Sequence, residues 1–214
     1  MLFSNPFEDP KIAVRYAHWY QSSGEKAARQ EKHLLQSFLH EVKGAKTLLD
    51  IGCGTGYFTN WFHDLGLQAF GLDRSPAMLQ QVQRHKTAGL CLGDATRLPF
   101  ASNSFDLLSF ITVLEFLPNP WIALSEGLRV ARRGLLLGVI NRHSLLGLKY
   151  RVKDGPIWNA ANFFTSGELI AKLKQTTGFH HKIFCKTTLW PLFSGYSKLP
   201  WGGFIGLAVI FTCK

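Results

Sequence analysis

The stretch Thr47-Leu-Leu-Asp-Ile-Gly-Cys-Gly-Thr-Gly-Tyr-Phe-Thr-Asn-Trp61 constrains the fold of this chain more than any other. Leu48, Leu49 and Ile51 make the short apolar run that a strand buried on both faces requires. Gly52, Gly54 and Gly56 follow at alternate positions. Tyr57, Phe58, Trp61, Phe62 and Leu65 then recur at helical spacing. The pattern is a strand, a tight glycine turn and a helix. Glycine has no side chain and reaches positive φ freely, so backbone there can come close to a ligand, and the helix start adds free N–H groups.

Two ligand classes fit such a turn. A dinucleotide site uses G-x-G-x-x-G and seats a phosphate on the helix N-terminus. Here the spacing is G-x-G-x-G, and Asp50 stands two residues before the first glycine. A carboxylate at that place repels a pyrophosphate and suits an ammonium or sulfonium, which favours S-adenosylmethionine. A glycine turn with no ligand is the third reading of the loop taken alone.

With 214 residues and 46% apolar content, the chain suits a single domain over 1–214 with a sizeable core. Within it we expect an N-terminal helical cap over 1–44 and a substrate-lid insert over 141–164. No run of 18 apolar residues occurs, so no transmembrane helix is expected. Residues Met1–Pro10 lack the charged and apolar regions of a signal peptide. The cysteines at 53, 91, 185 and 213 have no metal-ligand spacing, and no metal is expected. Cys53, Cys91 and Cys213 lie in or beside predicted strands and are expected to be small buried residues, in keeping with a reducing cytoplasm. The net charge of +10 leaves nucleic acid, an anionic membrane surface, an acidic substrate or plain solubility open. Basic residues cluster at Arg129-Arg132-Arg133 and Lys149-Arg151-Lys153, but no run reaches five.

Taken in order, residues 1–24 form a polar and aromatic lead-in. A helix is predicted over Glu25–Val42, with Ala27, Leu34, Leu35, Phe38, Leu39 and Val42 on one face. Strand one spans 46–51 and the next helix about 55–65. Strand two, Gln68–Leu72, ends at Asp73. Ser75 and Pro76 then open a helix with Met78, Leu79 and Val82 inward. Strand three is Leu90–Leu92, followed by Gly93-Asp94-Ala95. Strand four is Phe105–Ile111. A helix entered between Pro118 and Pro120 presents Leu124, Leu128 and Ala131, and strand five is Gly134–Ile140. Residues 141–164 read as irregular, a helix covers 166–176, and two strands at about 179–188 and 204–213 close the chain. Alternating strands and helices predict a Rossmann-like, doubly wound α/β sheet with helices on both faces. The terminal pair predicts one antiparallel strand.

In such sheets ligands bind beyond the carboxyl ends of the strands. Strand two ends in Asp73, 21 residues after Gly52, where a carboxylate can accept both hydroxyls of a ribose. Strand three ends in Asp94-Ala95, suited to an adenine edge, and the carbonyl of Ile111 ends strand four. Each acid alone is most simply a helix cap. Acids at successive strand ends beside the glycines argue for one ligand.

The segments Leu48–Gly56, Gly71-Leu-Asp-Arg-Ser-Pro-Ala-Met-Leu79, Gly93-Asp-Ala-Thr-Arg-Leu-Pro-Phe100, Ser104-Phe-Asp106 and Val113-Leu-Glu-Phe-Leu117 resemble the class I S-adenosylmethionine-dependent methyltransferases, nearest the small-molecule branch with ubiquinone- and menaquinone-type enzymes. The resemblance covers about residues 10–185. It implies a seven-stranded sheet of order 3-2-1-4-5-7-6 and S-adenosylmethionine as cofactor. It further implies that Gly52, Gly54 and Gly56 shape the cofactor loop, that Asp73 holds the ribose and that Asp94 and Ala95 read the adenine. Arg74 and Met78 fall in the second motif beside the same ligand, and Asp50 and Ile111 face the methionine ammonium. Tyr16 and Trp19, one helical turn apart, lie over the methionine end. The sequence departs from the family where many relatives have His after the strand-four Glu, since Phe116 stands here. It also has Arg133-Gly134-Leu135 in place of Pro-Gly-Gly. No Asn-Pro-Pro-Tyr-like segment follows strand four, which argues against methylation of an adenine or glutamine amino group.

The expected partner is a small-molecule acceptor, anionic, aromatic or lipid-like, held by the lead-in and by the insert with its Tyr150, Arg151, Lys153, Trp158, Phe163 and Phe164. Peripheral membrane contact is the second partner considered, and nucleic acid is disfavoured. If a general base is used, the candidates are His18, Glu115 and His143. Two other functions fit less of the sequence: a non-catalytic S-adenosylmethionine-binding partner subunit, and an RNA methyltransferase supported only by charge.

Overall fold

A computed structural model describes residues 6–159, 161–177, 181–191 and 194–212. Seven strands form one sheet of order β3-β2-β1-β4-β5-β7-β6, the order the resemblance implies. They are β1 (Thr47–Ile51), β2 (Gln68–Asp73), β3 (Gly89–Leu92), β4 (Phe105–Ile111), β5 (Ala131–Ile140), β6 (His181–Thr188) and β7 (Phe204–Phe211). The first five pair in parallel, and β7 runs antiparallel to both β5 and β6.

The two faces of the sheet follow from period-2 alternation. Leu48, Leu107, Leu136 and Ala208 point to one side. There they meet Leu34, Leu35 and Phe38 of α2 (Glu25–Leu39) and Phe58 and Phe62 of α3 (Tyr57–Asp64). Leu49, Leu108, Leu135, Leu137 and Leu207 point to the other. They are covered by α5 (Pro120–Val130), through Ala123, Leu124 and Val130, and by Leu169 and Leu173 of α7 (Ser166–Thr177). Close approach is built in at Gly206, where any Cβ would run into Leu34 of α2.

Several elements differ from expectation. The lead-in is not merely a polar cover: α1 (Pro10–Tyr20), capped by Asp9 through the Lys11 amide at 2.8 Å, buries Ile12, Ala13 and Tyr20. The helix after Ser75 is one turn, α4 (Pro76–Leu79), because the chain turns away at Gln80. Ala131 belongs to β5, which starts three residues before the predicted Gly134. The insert is partly regular: Ser144 accepts from the Gly147 amide at 2.9 Å and starts α6 (Leu145–Arg151). Cys53 is buried, Cys91 is only half-buried because β3 is an edge strand, and Cys213 lies outside the described residues. Among the described residues no helix is long and apolar enough to cross a membrane.

The basic cluster after α5 is structural. Asp106, 2% exposed at the start of β4, accepts from the Lys46 and Thr47 amides at 2.8 and 3.2 Å. Its other oxygen takes Arg132 Nη2 at 2.7 Å and Arg133 Nε at 3.0 Å. Burial alone would raise this acid, but the donors win and hold it well below the usual carboxylate range. Asp106→Ala leaves two backbone amides and two guanidiniums without their acceptor. We expect a loss of about 2–3 kcal/mol in urea unfolding; an unchanged midpoint would show that water replaces the carboxylate at no cost.

Candidate active site

Strand order reverses between β1 and β4, and the cleft opens beyond the carboxyl ends of β1 to β4 at that switch point. Its floor is the glycine loop. Gly52 and Gly54 sit at φ 66° and 54°, a region that penalises any side chain. A Cβ on Gly52 would press on Val113 at 2.5 Å, and one on Gly54 would extend toward Tyr16 at 3.7 Å, into the cleft. Asp73 at the end of β2 accepts from the Gly54 amide (Oδ2, 2.8 Å) and the Ser75 amide (Oδ1, 2.8 Å). Burial pushes its carboxyl up, and those amides pull part of the way back. Asp94, after β3, has Oδ1 held by the Thr96 amide and hydroxyl at 2.8 Å each, and these donors hold its carboxyl below its ordinary value. The remaining wall includes Leu72, Met78, Ala95 and Val113, and the cleft holds about 220 Å³.

The N-terminal segment roofs this cleft. Ser75 Oγ donates to the Phe7 carbonyl at 2.7 Å, and Arg74 pairs with Glu8 at 3.2 Å. Phe7 packs edge-on against Phe116 and Tyr16, with ring centroids 5.0 and 5.9 Å away.

A larger cavity, about 830 Å³, lies beside it between α1, α2, α6 and the loop before β7. The two share Phe7, Tyr16, Thr112 and Phe116. Thr112 is the hinge of that wall. Its φ is +53°, a genuine outlier for a β-branched residue, worth roughly 1–3 kcal/mol of strain. Its amide donates to the Gly138 carbonyl at 2.7 Å, and the Tyr16 and Tyr20 phenols nearby bond each other at 3.0 Å. Burial pushes Tyr16 up to about 12, so both phenols remain protonated.

Of the residues expected at the cofactor, Tyr16, Gly52, Gly54, Asp73, Arg74, Met78, Asp94 and Ala95 come together on the smaller cleft. Four do not. Trp19 lines the larger cavity, on the same face of α1 as Tyr16, with ring centroids 6.5 Å apart. Gly56 caps α3 at φ 77°, packed where a Cβ would meet Val82. Ile111 is buried toward α2 and α3, and the wall position falls to its neighbour Thr112. Asp50 stands behind the loop, 2% exposed, with Oδ2 taken by Thr59 Oγ1 and Oδ1 by Ser109 Oγ, both at 2.7 Å. Burial raises its carboxyl to about 6 despite the two hydroxyls.

The three candidate bases line neither cavity. His18 and His143 are exposed on the outside of the molecule. Glu115 is fully buried: Oε1 accepts from the Ile140 amide at 2.7 Å, Oε2 has no partner, and burial lifts the acid to about 8. It is a protonated brace between the turn after β4 and the end of β5. Sequence reasoning missed Thr112, Phe116 and Phe7. It also missed Glu31, a charged residue on the apolar stripe of α2 that lines the larger cavity. Among the described residues no group of three or more His, Cys, Asp or Glu could hold a metal.

The sheet order, the glycine turn after β1 and the acids after β2 and β3 define a class I, Rossmann-like methyltransferase fold. Residues 49–137 match the family model described as a methyltransferase domain. That match spans under half of the chain, and over it the chain is similar to methyltransferases. An uncharacterized methyltransferase of Mycobacterium sp. (strain KMS) is 30% identical over 141 residues, 65% of this chain and 52% of that one. A demethylmenaquinone methyltransferase of Renibacterium salmoninarum is 36% identical over 107 residues, 50% of this chain and 45% of that one. The chain spans about half the length of these curated relatives. In structure it is similar to a Thermotoga maritima SAM-dependent methyltransferase, described as a possible histamine N-methyltransferase. The TM-score is 0.78 at 22% identity, covering 95% of this chain and 98% of that one. It is also similar to magnesium protoporphyrin IX methyltransferase from Synechocystis, solved with S-adenosylhomocysteine, at TM-score 0.62 and 13% identity, covering 93% and 99%. The residues of the smaller cleft fit that cofactor class: a carboxylate with free lone pairs at a β-strand end, an apolar slot at Leu72 and Met78, and a floor that a Cβ would fill.

Acids raised by burial bind their proton in the folded chain at pH values where the unfolded chain has released it. Their stabilisation is complete below the ordinary value, 3.8 for Asp50 and 4.5 for Glu115, and is lost as pH rises through the folded value, near 6 for Asp50 and 8 for Glu115. We expect Tm to fall between pH 5.5 and 8.5, and Glu115→Gln to remove much of the fall above pH 7 in differential scanning calorimetry. The same slope in both proteins would refute the assignment.

Proposed function

We propose that the chain transfers a methyl group from S-adenosylmethionine, bound in the smaller cleft, to a small-molecule acceptor in the larger cavity. The observation that carries this reading is the shared wall of Phe7, Tyr16, Thr112 and Phe116, which joins a cofactor-type cleft to a roomy aromatic cavity. Asp73 would take the ribose hydroxyls, Asp94 and Ala95 the adenine edge, and Gly52, Gly54 and Tyr16 the methionine end, with Arg74 and Met78 closing the wall. S-adenosylmethionine supplies a methyl already activated on a sulfonium. The work left to the protein is positioning and exclusion of water. Thr112 and Tyr16 set the approach between the two cavities, and Phe7 with Phe116 closes the roof. The names of the relatives, which include a menaquinone-type enzyme, support a small-molecule acceptor. The charge gives little support to nucleic acid, because Arg129, Arg132 and Arg133 are tied to Glu126 and Asp106.

Isothermal titration with S-adenosylhomocysteine should give one site per chain, and Asp73→Ala should weaken it by roughly 1.5–3 kcal/mol, the scale of hydrogen bonds to a charged group. Absence of binding at millimolar ligand would end the reading. Residues 141–164 act as the acceptor lid and residues 1–44 as the cap in this scheme. Removing 145–159 should therefore leave S-adenosylhomocysteine affinity within about twofold while opening the larger cavity. A folded variant that no longer binds S-adenosylhomocysteine would place the insert in the cofactor site instead.

A further inference from the structure

The larger cavity contains one buried charge-bearing group that the fold leaves unanswered. Glu31 is 7% exposed, lines the cavity from α2 and accepts no hydrogen bond from the described residues. It does not serve helix pairing. Lys32, the adjacent cation, is turned onto the Tyr57 ring at 3.7 Å. Tyr57 in turn stacks on Tyr20 at 4.0 Å and 9°, so the ammonium occupies the outer face of that stack. Glu115, Tyr16, Tyr20, Tyr57 and Tyr150 are the other titratable groups that feel its charge, and none of them is cationic. The cations on the cavity wall, Arg15, Lys26 and Lys153, are all exposed, and there water and salt screen them. Asp154, the other carboxylate on the wall, is exposed and has Oδ1 occupied by the Gly155 amide and Asn159 at 2.9 Å each.

We infer that Glu31 is the recognition group for the acceptor and that the acceptor presents a protonated amine to it, within a box of Tyr16, Trp19, Tyr20, Tyr150 and Trp158. This rests on the function proposed above and names the substrate class of that site. A buried carboxylate without a partner is costly. An ammonium supplies both the opposite charge and the hydrogen bonds, and it gains further from aromatic faces. A neutral alcohol supplies only a hydrogen bond, and an anion meets repulsion. Burial lifts the Glu31 carboxyl to about 7, and the nearby Lys32 draws it back only in part. An amine must therefore compete with a proton below that pH, and binding should tighten as pH rises from 6 to 8.

Three probes that share a phenyl ring separate the possibilities: 2-phenylethylammonium, 2-phenylethanol and 3-phenylpropionate, titrated by ligand-observed NMR into the protein saturated with S-adenosylhomocysteine. The ammonium should bind at least tenfold tighter than the other two and gain severalfold between pH 6 and 8. Glu31→Gln should abolish both the preference and the pH dependence with S-adenosylhomocysteine affinity unchanged, and Asp154→Asn should retain them. Equal binding of ammonium and alcohol, preference for the propionate, or a preference that survives in Glu31→Gln would overturn the inference. Failure to bind S-adenosylhomocysteine would instead overturn the cofactor assignment beneath it. If Glu31→Gln does not fold, Glu31→Asp, which keeps the charge but withdraws it, should lower the ammonium preference without reversing it; an unaltered preference there would equally count against Glu31.

Discussion

One buried carboxylate ties together the three elements from which the cofactor cleft is made. Asp50 is on β1, Thr59 on α3 and Ser109 on β4, and two 2.7 Å hydrogen bonds join them around a side chain that is 2% exposed. The bonds fix the angle at which the chain leaves the sheet, and the glycines then complete the turn. Asp73 secures the far side by taking the Gly54 amide. The loop is thus clamped from behind by one acid and from the side by another, with its open surface facing the cleft. Removing either hydroxyl would leave an acid oxygen stranded in the core, which costs more than the hydrogen bond itself is worth.

The sheet was legible because buried parallel strands are written as unbroken apolar runs, and Phe105–Ile111 was read to the residue. Helix α6 was not legible: Leu145-Leu-Gly-Leu-Lys-Tyr-Arg151 is too short and glycine-broken for periodicity to show. The strand-end acids Asp73 and Asp94 were legible because topology alone brings such positions to one edge. Asp50 was legible as important but not in its role, since a carboxylate before a glycine turn has the same letter whether it faces a ligand or two hydroxyls. The shift from Ile111 to Thr112 has a similar origin. Only the backbone turn at φ +53° decides which of two neighbours reaches the wall.

The candidate bases lie outside both cavities for a different reason. Histidines in a lead-in and an insert look catalytic by composition, yet His18 and His143 both fall on the solvent side of their segments. Glu31 carried a signal that was passed over. The buried stripe of α2 runs Ala28, Glu31, Leu34, Leu35, Phe38, and a carboxyl amid it must find a partner, a ligand or a proton.

The roof over the smaller cleft is a single turn of chain. Among the contacts of Pro6–Glu8 are the Ser75–Phe7 hydrogen bond, the Phe7 ring contacts and an Arg74–Glu8 ion pair whose side chains are about half exposed. An ion pair so exposed contributes at most about 1 kcal/mol, and the hydrogen bond about as much. The sheet beneath need not flex for a nucleoside to pass. Because Phe7 walls the larger cavity as well, any displacement of that turn would unseal both chambers at once.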